Sequence, residues 1–344
     1  MKDKVKDIVV RSEREYRVSF TDSWKIELSR LCENRNFVII TQAGLKDRVS
    51  KGMPGAKLIV TPEGEEQKTM LTFTKLLEEV AALNIDRQSL IIGIGGGATT
   101  DLAGFVAATY MRGIDWVAIP TSVAGMVDAS VGGKTGINLK AGKNLAGAFH
   151  SPVEVIVDMN WLETLSPRDV KAGLAESAKC GFISDRKILE LLLQGYERNL
   201  AEIVQRSIQV KATVVSNDFK ESFLREDLNY GHTLGHAIER VSGYSLRHGE
   251  AISIGMIFAA EISHIASGLS LESVKLHYEI LGLLDLPLSY RIDAWLSLYN
   301  FMTMDKKRKS NGVRFVTLEA IGKTGRAELK LEDLEKIYLT KVGR

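Results

Sequence analysis

The chain has 344 residues, of which 45% are hydrophobic and 26% charged, and its formal net charge is +2. This length predicts two domains, and so small a net charge argues against a protein that binds nucleic acid or another polyanion over its whole surface. Two cysteines in no paired spacing, the absence of a signal-peptide core and the lack of an apolar run of ~18–20 residues favour a cytoplasmic protein with no membrane span.

The first half of the chain alternates apolar strands with amphipathic helices. The apolar periodicity predicts strands at 37–40, 56–60, 89–92, 116–119 and 153–157, and helices at 69–83 and 98–110. Such βαβ alternation predicts a mostly parallel sheet with helices on both of its faces. The stretch 120–152 holds six glycines, so we expect a long functional loop there.

Helical periodicity dominates after about residue 162. We predict one strand-like segment at 314–318 and helices at 168–183, 187–196, 202–217, 233–241, 250–267, 271–281 and 331–338. The predicted fold class is therefore α/β, with an N-terminal α/β domain at 1–162, built on a mostly parallel sheet, and a mainly helical domain at 163–344.

The segment 93–97, Gly-Ile-Gly-Gly-Gly, lies between a predicted strand and a predicted helix. Glycines there let the backbone approach a pyrophosphate, and the helix N-terminus adds partial positive charge. Gly93, Gly95 and Ala98 match the pattern G-x-G-x-x-A, but a tight strand-to-helix turn has the same composition. Asp101, early in the helix, contacts a cofactor or metal, or only complements the helix N-terminus.

Histidines cluster in the second half of the chain. His232 and His236 are four residues apart on one helix face, and His248 precedes another predicted helix. Catalytic zinc commonly takes three protein ligands, and Glu176 is the best acidic candidate. Each histidine alone is explained as well by a hydrogen-bonded structural role, and spacing does not say which two bind. Together they favour a metal site, with Cys180 as a weaker candidate that packing also explains.

Basic side chains recur in the glycine-rich stretch and around the histidines. For each one alone, exposure to solvent is the simplest explanation. Together they would suit a substrate that carries both phosphate and carboxylate, since arginine grips planar anions bidentately. The residues are Lys134, Lys143, Lys179, Lys211, Arg225 and the run 305–308.

Several strings are long enough to be specific. They are V-D-A-S-V-G-G-K-T-G at 127–136, L-N-Y-G-H-T-L-G-H-A at 228–237, G-L-A-E-S-A-K at 173–179 and H-G-E-A at 248–251. With shorter matches at 95–97, 101–105, 110–113, 120–121 and 143–144, the resemblance covers roughly 62–307. The chain resembles the 3-dehydroquinate synthases of the sugar-phosphate cyclase superfamily.

The resemblance implies that NAD and Zn²⁺, or alternatively Co²⁺, are the cofactors. It implies metal binding by Glu176, His232 and His248, which leaves His236 for acid/base chemistry or a phosphate contact. It implies NAD contacts from Glu65, Lys68, Gly96, Gly97, Asp101, Thr121, Ser122, Lys134 and Lys143. It implies catalytic roles for Asp128, Lys134, Lys179, Asn229 and His236, and substrate contacts from Arg112, Lys143, Asn144, Lys211, Arg225 and Lys306.

The reaction that the resemblance implies is a carbon–oxygen lyase reaction of the shikimate pathway. The sugar phosphate 3-deoxy-D-arabino-heptulosonate 7-phosphate becomes 3-dehydroquinate and phosphate by transient oxidation, phosphate elimination, reduction and intramolecular aldol closure. The N-terminal domain would bind NAD and the C-terminal domain metal and substrate. A homodimer is also implied, in which Arg112 reaches the partner's site.

Two other activities share this architecture. A cyclase resembling 2-deoxy-scyllo-inosose synthase would act on a substrate without a carboxylate, so Arg225 and Lys211 favour dehydroquinate synthase. A metal-dependent polyol dehydrogenase would release NADH and would not need the lysines. A non-catalytic zinc or nucleotide-binding protein leaves these polar residues without a role. One departure from the family pattern is Gln42, which stands where an aspartate that contacts the ribose is usual.

Overall fold

A computed structural model describes residues 6–220, 224–304 and 312–344. The chain falls into two compact units. The first comprises Met1–Leu165 together with Lys211–Lys220, and the second comprises Ser166–Val210 and Glu221–Arg344. The break after Leu165 lies close to the predicted domain boundary, whereas the return of 211–220 to the first unit is not evident from periodicity.

The first unit is built on a seven-stranded sheet. Its strands and a separate hairpin are β1 (Ile8–Arg11), β2 (Glu15–Phe20), β3 (Phe37–Gln42), β4 (Leu58–Thr61), β5 (Leu90–Gly95), β6 (Asp115–Pro120), β7 (Lys134–Leu139), β8 (Gly142–Phe149) and β9 (Glu154–Val157). The sheet order is β1-β2-β9-β6-β5-β3-β4, and only the β1–β2 pair is antiparallel. The four helices that lie between strands are α1 (Trp24–Cys32), α2 (Lys46–Gly52), α3 (Met70–Ala82) and α4 (Gly97–Thr109). This arrangement confirms the predicted α/β class.

The expectation of a long loop at 120–152 is wrong for much of its length. A turn of π-helix spans Gly125–Ala129, and β7 pairs with β8 in an antiparallel hairpin. The glycines that suggested a loop instead let the two strands approach closely. A Cβ on Gly147 would lie 2.2 Å from the carbonyl oxygen of Thr135.

The second unit is mainly helical. Its elements are α5 (Pro167–Ile183), α6 (Arg186–Leu193), α7 (Tyr196–Asn217, grouped with the first unit from Lys211), α8 (His232–Val241), α9 (His248–Ser267), α10 (Leu271–Leu283), α11 (Trp295–Met304), α12 (Leu331–Ile337), and the strands β10 (Val313–Ala320) and β11 (Lys323–Leu329). The predicted strand at 314–318 is one arm of the antiparallel β10–β11 hairpin.

Helix α9 forms the centre of the second unit. Its residues from Gly249 to Ser263 are all buried. Among the described residues it is also the one helix long and apolar enough to cross a membrane, but 83% of its apolar window is buried inside the protein. Since a buried core helix meets the same criteria, its length and composition are weak evidence for a membrane span.

Candidate functional site

Three elements of the second unit bring a carboxylate and two imidazoles together. Glu176 lies in the middle of α5, His232 is the first residue of α8, and His248 is the first residue of α9. Oε1 of Glu176 lies 3.6 Å from Nε2 of His232 and 3.3 Å from Nε2 of His248. The three ligand atoms all lie within 4.8 Å of one another, which is close enough to share one metal ion.

Local sequence explains why these elements converge. The side chain of Ser166 caps the N-terminus of α5 by accepting a hydrogen bond from the backbone N–H of Asp169, with Pro167 in the first turn. Gly231 adopts a left-handed conformation (φ +79°) and ends the preceding turn so that α8 begins at His232. Gly249 follows His248 and lies against the backbone of α5, which places His248 beside Glu176.

The carboxylate of Glu176 is suited to bind a cation. Its side chain is 2% exposed and forms an ion pair with Lys179, one turn later on α5. Among the described residues, neither of its oxygens accepts a well-directed hydrogen bond. Burial would raise the pKa of Glu176, but the positive charge of Lys179 and the neighbouring imidazoles hold it well below its usual value.

The two imidazoles experience different electrostatic environments. Burial and the charge of Lys179 hold the pKa of His232 well below its usual value. Burial also acts to lower the pKa of His248, but the carboxylates of Glu176 and Glu239 outweigh it and raise that pKa to about 10. Nδ1 of His232 donates to the carbonyl oxygen of Tyr230 at 3.1 Å. This hydrogen bond leaves Nε2 of His232 as the nitrogen directed at Glu176.

His236 lies one helical turn after His232 and is exposed. Its ring stands edge-on to that of His232, with the ring centroids 5.1 Å apart. His236, Glu239 and His248 form a second set of ligand atoms within 4.8 Å of one another. Glu239 is not singled out by the sequence, although it follows His236 by three residues and so lies on the same helix face.

In the first unit, the glycine loop lies where β5 meets α4. The strand ends at Gly95, whose carbonyl oxygen accepts the backbone N–H of Thr121, and α4 begins at Gly97. A Cβ on Gly93 would lie 2.7 Å from Cβ of Ala103, so glycine lets the helix pack closely on the strand. This geometry leaves the N-terminal N–H groups of α4 at the end of the sheet, where phosphate groups bind in α/β folds.

A buried lysine lies beside this loop. Nζ of Lys68, a residue that is 2% exposed, lies 2.7 Å from Oδ2 of Asp101 and also donates to Oδ1 of Asn144. Burial raises the pKa of Asp101, and the charge of Lys68 opposes that rise. Asn138, which no sequence motif singled out, accepts the backbone N–H of Asn144 at 2.9 Å and donates to Glu65 at 2.8 Å. The predicted cofactor residues Glu65, Lys68 and Asp101 therefore belong to one hydrogen-bonded cluster.

Other predicted residues of the first unit lie nearby. Lys211, on α7, donates to both the carbonyl and the carboxylate of Asp128. Oγ of Ser122 accepts the backbone N–H of Gly125 at 3.1 Å, so it helps to form the π-helical turn. Thr99, in the first turn of α4, donates to Gln42 at 3.2 Å, so the residue that departs from the family pattern still lies beside the helix that follows the glycine loop. Lys134 begins β7 and is exposed, and Lys143 on β8 is half-buried.

The remaining predicted residues are placed separately. In the second unit, the 3₁₀ turn Leu224–Asn229 carries Arg225 near its beginning, with the side chain buried, and Asn229 at its end, half-buried. Arg112 is exposed on the first unit, apart from the Lys68 cluster, and lines a cavity of about 350 Å³ with Arg14 and Arg87. Lys306 lies outside the described residues.

Comparison of the sequence with known families gives a match across both units. The N-terminal domain of 3-dehydroquinate synthase matches residues 58–172, and its C-terminal domain matches residues 173–308. The chain belongs to the 3-dehydroquinate synthase family. This membership confirms the resemblance, and with it the enzyme class, inferred from the sequence.

Members of the 3-dehydroquinate synthase family from several bacteria are similar over most of the chain. The 3-dehydroquinate synthase of Streptomyces avermitilis is 48% identical over 275 residues, which are 78% of this chain and 76% of that protein. The protein of the same name from Corynebacterium diphtheriae is 42% identical over 341 residues, which are 93% of this chain and 94% of that protein.

Solved structures of related cyclases share the fold. A 2-deoxy-scyllo-inosose synthase in complex with carbaglucose-6-phosphate, NAD⁺ and Co²⁺ is 25% identical, with a TM-score of 0.85 over 98% of this chain and 100% of that chain. A 2-epi-5-epi-valiolone synthase from Streptomyces hygroscopicus, with NAD⁺ and Zn²⁺ bound, has a TM-score of 0.85 at 23% identity, over 94% of this chain and 96% of that chain.

Proposed function

We propose that this member of the 3-dehydroquinate synthase family converts 3-deoxy-D-arabino-heptulosonate 7-phosphate into 3-dehydroquinate and inorganic phosphate. The observation that carries the proposal is the cluster of Glu176, His232 and His248, with the buried Lys179 beside it. Its residues come from three of the strings by which the chain resembles the family.

A carboxylate oxygen and two imidazole nitrogens suit a divalent cation of borderline hardness. We assign Zn²⁺ to this site, with Co²⁺ as a functional substitute. One carboxylate and two imidazoles leave a fourth position open for substrate oxygens. NAD fits the glycine loop, with Lys68, Asp101 and Glu65 at its side. When bound, the metal supplies a Lewis acid and NAD a reversible hydride acceptor, so the redox change within one turnover sums to zero.

The chain's own residues position and desolvate the substrate. Lys179 is held beside Glu176 as a buried cation that can bind a substrate oxygen. His236 is exposed, so it is available to exchange a proton with a departing group. Arg225 is the residue that we assign to the substrate carboxylate, because its planar guanidinium matches that anion. Lys134, Lys143 and Asn144 would bind the phosphate, while Lys211 holds Asp128 in place.

We also propose a cytoplasmic homodimer in which Arg112 reaches the partner's active site. Its backbone supports a functional role: Met111, Arg112 and Gly113 all have positive φ angles, of 50°, 68° and 111°. Such a conformation costs of order 1–2 kcal/mol for each non-glycine residue. The strain projects Arg112 from the turn after α4 as an exposed cation.

The experiment that tests the function is phosphate release from 3-deoxy-D-arabino-heptulosonate 7-phosphate by the purified protein supplied with NAD and Zn²⁺. We expect stoichiometric phosphate and 3-dehydroquinate with no accumulation of NADH at 340 nm. Omission of Zn²⁺ after chelation should stop the reaction, and its return should restore it. Two results would overturn the proposal: phosphate release from glucose 6-phosphate in preference to this substrate, or steady NADH formation with glycerol.

A further inference from the structure

The two ring nitrogens of His248 face two different carboxylates. Nε2 lies 3.3 Å from Oε1 of Glu176, and Nδ1 lies 3.5 Å from Oε2 of Glu239. Glu239 belongs to α8, two turns after His232, and its side chain is 5% exposed. A buried carboxylate is costly unless it is paired. Glu239 faces Nδ1 of His248, the ring nitrogen that points away from Glu176, so it is placed to orient that imidazole.

We propose that Glu239 is a positioning residue for the metal centre, which accepts Nδ1–H of His248 and so presents Nε2 to the ion. This inference rests on the proposed function, because it assumes a metal held by Glu176, His232 and His248. A neutral imidazole has one N–H and one lone pair, so fixing the N–H on Nδ1 fixes the lone pair on Nε2. A carboxylate partner also raises the basicity of the ligating nitrogen.

The two imidazoles of the cluster have different partners. His232 donates Nδ1–H to the backbone carbonyl of Tyr230, a neutral acceptor that mutation of a side chain does not remove. His248 has a charged side-chain acceptor instead. His248 begins α9 and its side chain is 37% exposed, whereas His232 is buried. The ring orientation of His248 therefore depends more on such a partner.

A second arrangement would make Glu239 a direct ligand. His236, Glu239 and His248 also lie within 4.8 Å of one another. In that arrangement His248 would bind through Nδ1, and the buried carboxylate of Glu176, paired with Lys179, would hold no metal although Nε2 of both His232 and His248 faces it. The geometry therefore favours Glu239 behind His248 over Glu239 on the metal, and the two roles give different results in the test below.

The test is the Zn²⁺ dissociation constant of metal-free protein, measured by competition with a chromophoric chelator and so independent of turnover. We expect Glu239→Leu to bind Zn²⁺ about 10–100-fold more weakly than the wild type, as outer-shell changes commonly do. Glu239→Gln should lose less, because an amide oxygen of the same reach can still accept Nδ1–H. Glu261→Gln is the matched control, since Glu261 is a buried carboxylate on α9 that pairs with Tyr278 and Lys341.

The visible absorption of bound Co²⁺ separates the two roles of Glu239. As a positioning residue, Glu239→Gln should leave the Co²⁺ bands near the wild-type position, whereas His248→Ala, which removes a ligand, should shift or abolish them. A shift or loss of the bands in Glu239→Gln as large as that in His248→Ala would overturn the proposal by making Glu239 a ligand. Unchanged Zn²⁺ affinity in both Glu239 variants would overturn this inference alone, whereas a wild-type protein that binds no Zn²⁺ would overturn the proposed function as well.

Discussion

Gly249 lies so close to Ala172 that a Cβ on the glycine would stand 1.7 Å from the Ala172 carbonyl oxygen. This contact joins the beginning of α9 to the first half of α5. It fixes the distance between His248, the residue before the glycine, and Glu176, one turn beyond the alanine. A single missing methyl group therefore determines whether two metal-ligand candidates can meet.

The first prediction is that Gly249→Ala destabilises the protein and weakens Zn²⁺ binding. The added methyl group meets backbone rather than a flexible side chain, and overpacking of this kind costs about 1–3 kcal/mol or more. Urea unfolding and chelator competition measure the two effects. Gly282→Ala on α10 is the control, because the nearest atom to its new Cβ is 3.9 Å away. That change should stabilise the protein by about 0.5–1 kcal/mol, and equal losses in both variants would contradict the argument.

The second prediction concerns the proposed ligands themselves. His248→Ala and Glu176→Gln should each abolish stoichiometric zinc in the purified protein and reduce turnover by at least about 10³-fold, because removing a ligand leaves too few to hold the ion. Elemental analysis and circular dichroism check metal content and fold. His264→Ala serves as the control, because His264 also lies on α9 but outside the metal cluster. Its Nδ1 donates to the carbonyl oxygen of Leu269 at 2.6 Å. Full zinc content in His248→Ala would contradict the assignment.

The sequence predicted the buried parallel strands and the long helices well, because their apolar residues repeat without interruption. It missed β1 and β2, where charged residues alternate with buried ones: Ile8, Val10, Tyr16 and Val18 face the core. It also missed β11, whose residues K-T-G-R-A-E-L are mostly half-buried and polar. In these segments pairing with a neighbouring strand, rather than local periodicity, decides the structure.

The candidate site divides in the same way. Spacing placed His232 and His236 on one helix face and made His248 and Glu176 candidates, and the family resemblance then chose His232 over His236 as a ligand. Glu239 was missed because its role depends on which ring nitrogen of His248 it faces. The packing of α8 against α9 decides that, and local sequence does not show it. A close approach of this kind depends on glycines such as Gly255, where a Cβ would lie 1.9 Å from the carbonyl oxygen of Gly231.

The third prediction is that Lys68→Met weakens NAD binding by at least about tenfold. Removing the buried cation leaves the half-buried carboxylate of Asp101 without its partner beside the glycine loop, where it would disfavour an anionic pyrophosphate. Isothermal titration with NAD measures the effect. Lys75→Met is the control, because Lys75 is exposed on α3 and its ion pair with Glu79 is a surface contact. Unchanged NAD affinity in Lys68→Met would remove Lys68 from the cofactor site.

The fourth prediction is that Arg225→Ala weakens binding of the carboxylate-bearing substrate by about 10–100-fold and leaves NAD binding within about twofold. Hydrogen bonds to charged groups contribute about 1.5–3 kcal/mol, which corresponds to that range. Arg225→Lys should recover part of the loss, since it keeps the charge but not the planar fork. Equal losses for substrate and NAD in Arg225→Ala would instead indicate a general structural role.

The fifth prediction is that His277 makes the protein less stable as the pH falls from about 6.5 towards 4. Burial lowers the pKa of His277 from 6.5 to about 4, because its ring is stacked on Phe182 with the centroids 3.6 Å apart and its Nε2 faces the Tyr230 hydroxyl at 2.9 Å. The unfolded imidazole gains its proton near pH 6.5 and the folded one does not, so protons favour the unfolded chain throughout that interval. Between about pH 7.5 and about pH 5 the wild type should therefore lose about 2 kcal/mol more free energy of unfolding than His277→Gln does. Urea unfolding of both proteins at the two pH values measures this difference. Because all other groups titrate alike in the two proteins, their contributions cancel. Equal losses of unfolding free energy in the wild type and in His277→Gln would contradict the buried neutral state of His277.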